Sequence, residues 1–230
     1  EITCRDWSSD VCSSDLSYVA KAPLGTAPIA ADGSASLLVP AGKALYFQLL
    51  DADYNELQRM RSVVQLQPGE RRSCIGCHEG RSASPTPRLD QLTRAPARRL
   101  EPPPWGAGPF DYQRTVQPVL DAHCVRCHDG NTGKGLNLGG QRDRERVPAS
   151  YRSLIQGGWV HYFDWVYGAR HYKAEPLTFG SLRSRLWEVL ADARHTEVRL
   201  ADHETQAVKT WIDLNCPLWP DYRYRLDRPD

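Results

Sequence analysis

No stretch of this chain is apolar for the roughly 18–20 residues needed to cross a bilayer. The longest candidate, ALYFQLL at 44–50, is strand-sized. No membrane span is therefore expected in this part of the protein, and no secretion signal is visible at its start. Methionine is nearly absent: Met60 stands alone, so nothing downstream of it has a local thioether to offer a metal. Charge of one sign is lacking too. The formal net charge is +1 over 230 residues, far from the basic excess of a nucleic-acid binder. No internal repeat of solenoid length occurs. What remains is ordinary globular material, 40% hydrophobic and 25% charged, long enough for one large domain or two small ones.

The first sixteen residues, EITCRDWSSDVCSSDL, stand apart. They read in frame as translated sequencing adapter, and residues 1–16 are expected to be a non-native segment to be left out of fold reasoning. Cys4 and Cys12 then drop out, leaving Cys74, Cys77, Cys124, Cys127 and Cys216. Arg5, Glu1, Asp6, Asp10 and Asp15 leave with them, which moves the formal charge from +1 to +4 and still argues for no nucleic acid. A native N-terminal region is expected upstream of Ser17, so the missing signal does not speak to compartment.

Residues 17–83 read as β-rich. SASLLVP, KALYFQLLDA and SVVQLQPGE are short and apolar, separated by Asp32-Gly33, Pro40-Ala41-Gly42 and Pro68-Gly69 turns. They suggest a partial sandwich. Residues 84–109 are rich in proline and arginine, the composition of a stiff extended connector. From Phe110 the pattern becomes helical. DYQRTVQPVLDAHC sets Tyr112, Val116, Val119 and Leu120 on one face, with Pro118 at a helix start or kink. SLRSRLWEVL offers Ser181 as N-cap and repeats Leu182, Leu186, Val189 and Leu190. DHETQAVKTWIDLN starts at Asp202 and buries Val208, Trp211 and Ile212. Between them GWVHYFDWVYGARHY is dense in aromatics.

Two pentapeptides carry the chemistry. RRSCIGCHEG holds Cys74, Cys77 and His78; AHCVRCHDG holds Cys124, Cys127 and His128. In Cys-x-x-Cys-His, two thiols three positions apart can each join one vinyl group of the same haem, and the next imidazole then falls beneath the iron. Zinc knuckles are the first rival, but their cysteine pairs usually stand closer than these. A redox dithiol is the second, and it leaves both histidines without a purpose. Two covalently bound c-type haems are the expected cofactors, implying a periplasmic or otherwise extracytoplasmic location. Cys216 has no pairing partner and reads as a small buried residue at a helix end.

The opposite face of each iron needs its own ligand. Near the second motif the candidates are His161, His171, His195 and His203. His195, on the connection between two helices, is the first choice as distal ligand, and His203, opening the last helix, is the second. His123 is too close to its own motif. Met60 is the candidate for the first haem, with simple strand core as its plain alternative; an open sixth position there would permit substrate chemistry. Bis-histidine ligation would give a low-potential electron carrier. The aromatics Trp159, Tyr162, Phe163, Trp165 and Tyr167 would pack around the second porphyrin.

The string DGSASLLVPAGKALYFQLLDADYNELQRMRSVVQLQPGERRSCIGCHEGR resembles the middle domain of the hydrazine synthase α subunit. GPFDYQRTVQPVLDAHCVRCHDG, KGLNLGG and WIDLN resemble the planctomycete-type cytochrome c domain that follows it. The resemblance implies an α+β multidomain fragment of a longer protein. A partial β-sandwich-like domain at 17–83 ends in the first haem motif, a linker spans 84–109, and a mostly α-helical cytochrome c-like domain occupies 110–230. It also implies haem at Cys74 and Cys77 and at Cys124 and Cys127. In that family the middle-domain haem is the reactive one, a tyrosine shortly after its motif binds the iron, and the motif histidine helps bind zinc. EGRSASPTP, after His78, has no tyrosine, which argues against carrying over hydrazine synthesis.

Three functions stay open at this stage. One is a dihaem c-type cytochrome fragment passing electrons to a redox partner protein. Another is a haem-dependent oxidoreductase with catalysis at the first haem. The third is a structural module, held either by zinc or by haem as a scaffold.

Overall fold

The computed structural model describes residues 20–60, 63–76, 96–131, 135–162 and 176–221, together with the backbone of 2–7. Its strands are β1 (Ile2–Trp7), β2 (Lys21–Ala27), β3 (Leu37–Leu38), β4 (Leu45–Leu50), β5 (Glu56–Arg59) and β6 (Arg98–Arg99). Four of them form an antiparallel sheet in the order β2-β1-β4-β5. Thus Ile2–Trp7, within the stretch set aside above, lies between β2 and β4. Main-chain hydrogen bonds suffice for such an insertion, and any extended segment supplies them.

The β4–β5 hairpin follows from its turn. The Asp51 carboxylate accepts from the N–H of Asp53 at 2.9 Å and of Asn55 at 2.8 Å, the local bond that makes aspartate a turn residue. Tyr46, Gln48 and Leu50 alternate into the interior along β4, the period of two that a pleated strand imposes. Leu45 and Val64 anchor a small cluster on the other side, with Leu24, Phe47 and Met60 packed against it.

The strand expectations hold unevenly. KALYFQLLDA becomes β4. SASLLVP shrinks to the two residues of β3, and SVVQLQPGE is represented by a single bridge from Val64 to Leu45. β2 was hidden because KAPLGTA carries a proline and a glycine, which weaken a strand pattern; the β1–β2 ladder shifts register opposite Pro23 and Gly25. The connector is tied down at its end. β6 pairs parallel with β3, Glu101 and Thr26 exchange two 2.8 Å bonds, and Trp105 meets Phe110 edge-on.

The helices are α1 (Tyr112–Thr115), α2 (Gln117–His123), α3 (Ala149–Gln156), α4 (Arg185–Leu190) and α5 (Asp202–Asp213). Asp111 caps α1 through Gln113 N–H at 2.9 Å. Pro118 sits in the first turn of α2, where its missing N–H costs nothing, so the expected single helix is two. Tyr112, Tyr151 and Trp211 meet at 4.9–5.9 Å between ring centres in the middle of the core, with Phe110, Leu154, Ile212, Leu214 and Leu218 around them. Their polar tips are satisfied. Tyr112 donates to Ser150 Oγ at 2.9 Å, Tyr151 to Cys216 O at 2.7 Å, and Trp211 to Pro217 O at 3.2 Å.

Ser181 is not the helix cap expected of it. Residues Gly180–Arg183 form a 3-10 turn, α4 starts four residues later, and the Ser181 hydroxyl is spent on Asp213. Leu182 is consequently exposed. Cys216 is buried as expected, and burial pushes its thiol well up from the ordinary range. No helix among the described residues is long and apolar enough to cross a membrane.

Candidate functional site

The second Cys-x-x-Cys-His motif is built from the end of α2. Cys124 closes the helix, its N–H still bonded to Leu120 O at 2.8 Å. The next residues coil into tight turns: the N–H of Cys127 and of His128 both reach Cys124 O, at 3.1 and 3.0 Å. Cys124, Cys127 and His128 thereby follow one another through a single tight turn of backbone. Leu138 N–H then holds His128 O at 2.7 Å.

Across from this motif stands the connection between α4 and α5. Asp192 starts a short 3-10 turn, Ala193–His195, by accepting from Arg194 N–H at 2.9 Å. The Arg194 guanidinium, and then that main-chain bond, hold the Asp192 carboxyl down to about 2. The turn presents His195 to His128. Their ring centres are 6.2 Å apart and their planes 20° apart. The Nδ1 atom of His195 is buried and has no hydrogen-bond partner among the described residues. Two imidazoles bound to opposite sides of one metal ion, each nitrogen about 2 Å from it, would hold their ring centres about 6 Å apart. The 6.2 Å separation of His128 and His195 matches that spacing, with the two rings stacked on one another in this structure.

Two further contacts pin the connection to the motif. His123 Nε2 lies 3.0 Å from Glu204 Oε1, and Arg126 lies 3.4 Å from Glu197. Burial works against the Glu204 charge, but the Ala201 N–H and His123 outweigh it and its pKa falls. The Cys124 thiol goes the other way, pushed up to about 11 by burial and then by Cys127. A thiol held protonated is a poor redox nucleophile, which weakens the dithiol alternative. Among the described residues no three His, Cys, Asp or Glu side chains gather as a metal site would require.

The other candidates are scattered. His203 is exposed in the first turn of α5. His161 is exposed and packs edge-on against Phe179 at 5.7 Å. Met60 sits beside the Leu45 cluster, its N–H on Phe47 O. In the first motif Cys74 is exposed and Gly76 turns through φ +69. Cys77, His78 and His171 lie outside the described residues, as do Phe163, Trp165 and Tyr167. Trp159 and Tyr162 pack against the helical core. The His123–Glu204 bond joins residues 81 positions apart and has no local signature in the chain.

Comparison with known proteins supplies context for this geometry. Residues 7–79 match the family model described as hydrazine synthase alpha subunit middle domain. The chain is 29% identical over 121 residues to hydrazine synthase subunit alpha of Kuenenia stuttgartiensis, a match covering 45% of this chain and 15% of that protein. The solved hydrazine synthase of Kuenenia stuttgartiensis superposes with a TM-score of 0.57 at 16% identity, covering 94% of this chain and 38% of that one. The chain thus spans well under half the length of either relative, and the structural likeness is one of fold.

Proposed function

We propose, for a hydrazine synthase alpha subunit middle domain-like chain, that it is the dihaem c-type electron-transfer part of a larger extracytoplasmic protein. One observation carries this: His128, directly after Cys124 and Cys127, faces His195 at the spacing of an axial pair. Cys124 and Cys127 would hold one haem through thioethers, with His128 and His195 on its iron. Cys74, Cys77 and His78 would hold the other. Bound haem supplies a one-electron couple.

The chain's own residues position and shelter that couple. The turns after α2 fix His128, and the Asp192-capped turn with the Arg126–Glu197 contact brings up His195. Histidine on both sides, with no methionine after Met60, favours a low potential. A redox partner protein is needed to deliver or accept the electron.

The test is expression in a host that attaches c-type haem. Two thioether-linked haems by mass spectrometry, and a low-spin spectrum for the second, are expected. His195→Ala should convert that haem to a high-spin form able to bind carbon monoxide, leaving the attachment mass unchanged. A low-spin spectrum that survives His195→Ala would overturn the axial assignment. Chains lacking porphyrin altogether would overturn the carrier.

A second function has its own support. The family match lies over residues 7–79, around the first motif, and the relatives are named as a synthase. An oxidoreductase with catalysis at the first haem, fed by the second, would show a high-spin iron on Cys74–Cys77 that binds small nitrogenous ligands in the unmutated protein.

A further inference from the structure

The β-rich part and the helical part meet across a buried polar seam. Asp213, the last residue of α5, is wholly buried there, and Glu56 at the start of β5 is 3% exposed. Asp213 Oδ1 accepts from Ser181 N–H at 2.7 Å. Asp213 Oδ2 accepts from the Ser181 hydroxyl at 2.8 Å and from Glu56 N–H at 3.3 Å. Its main-chain oxygen accepts from Gln48 Nε2 at 2.8 Å and from Arg59 at 3.0 Å. The Glu56 carboxylate accepts from Arg59 at 2.6 Å and again from Gln48.

Counting charges exposes an imbalance. Two carboxylates are buried with one guanidinium, and that guanidinium forks onto Glu56. No ion pair reaches the Asp213 carboxylate among the described residues. The cations around it bond to other groups, so their charges reach the carboxylate only across a distance. From β4 come Gln48 and Tyr46, from β5 Glu56 and Arg59. The 3-10 turn contributes neutral Ser181, and the segment after α5 contributes Cys216. Lys209, on α5 itself, is bonded to Asp53 O at 2.6 Å, and Lys21 is bonded to Leu214 O at 2.6 Å. Asp213 also lies at the negative end of its own helix, the wrong end for an anion. An unneutralised carboxylate in such a place gives up its charge by taking a proton.

We propose that Asp213 is a proton-operated clasp, which binds the β4–β5 hairpin to the helical part when protonated and weakens that seam when ionised. Nothing in this depends on haem being bound. Burial, followed by repulsion from Glu56, moves the Asp213 pKa to about 7. The sign follows. A carboxyl whose folded pKa lies above its unfolded value stabilises fully below about pH 4, and that contribution is lost as pH rises through about 7.

Thermal unfolding of the 230-residue chain between about pH 5 and pH 8 tests this. Relative to Asp213→Asn, the unmutated protein should lose about 3 °C of midpoint per pH unit up to about pH 7 and then level off. Parallel profiles for the two proteins would overturn the clasp. Infrared difference spectroscopy keeps the question open to an answer should Asp213→Asn fail to fold. The unmutated protein should show a buried protonated-carboxyl band at about pH 5.5 that is gone by about pH 8.5. In Glu56→Gln the same band should remain but titrate at lower pH. Absence of the band from the unmutated protein, or a Glu56→Gln band that titrates at the same or a higher pH, would sink the proposal.

Discussion

Gly180 shows how much one position can be asked to do. It turns through φ +64, and a methyl group in its place would collide with Asp213 Oδ1. Gly180→Ala should therefore cost at least about 2 kcal/mol, from backbone strain and a displaced carboxylate together, measurable by denaturant unfolding. Tyr151→Phe is a milder cut at the same scale. It strands Cys216 O in the core and should cost about 1–2 kcal/mol, read as a lower denaturation midpoint at unchanged slope. Single residues were also where the sequence was most and least informative. The two pentapeptides announce themselves through spacing alone. Asp213 does not. It follows the buried run Val208, Trp211, Ile212, and an acid at that point of a helix looks like a solvated end until β4 and β5 are seen to close over it.

At the level of elements, the apolar periodicity of α5 and of the α1–α2 segment foretold which faces are buried, because a helix face is set by residues three and four apart. The break between α1 and α2 follows from Pro118 and the Asp111 cap. Asp111→Ala should lower stability by about 1 kcal/mol, detectable as a small drop in thermal midpoint. The short strands were less legible. β3 and β6 are two residues each and exist only because residues far apart in sequence are brought together, and β2 violates strand composition. The α4–α5 connection brings His195 to within 6.2 Å of His128, ring centre to ring centre. The bonds that hold it there, from Glu204 and Glu197 to the motif, join positions 71 to 81 residues apart and leave no local signature.

Across the whole molecule, side chains of the β-rich part serve the end of α5. Helix C-termini leave carbonyl groups without internal partners, and here Gln48 and Arg59 take Asp213 O while Lys21 takes Leu214 O. Arg59→Met removes a cap and the guanidinium bonded to Glu56, leaving two buried acids. It should destabilise by about 3–5 kcal/mol, with the loss seen as one cooperative transition at a lower midpoint. For anyone dissecting the protein, a scissile connector is a poor place to divide it. Pieces severed between 84 and 109 would each present half of a hydrogen-bonding surface to water, with donors and carbonyls on both halves. They would be expected to recombine when mixed, as complementing fragments do.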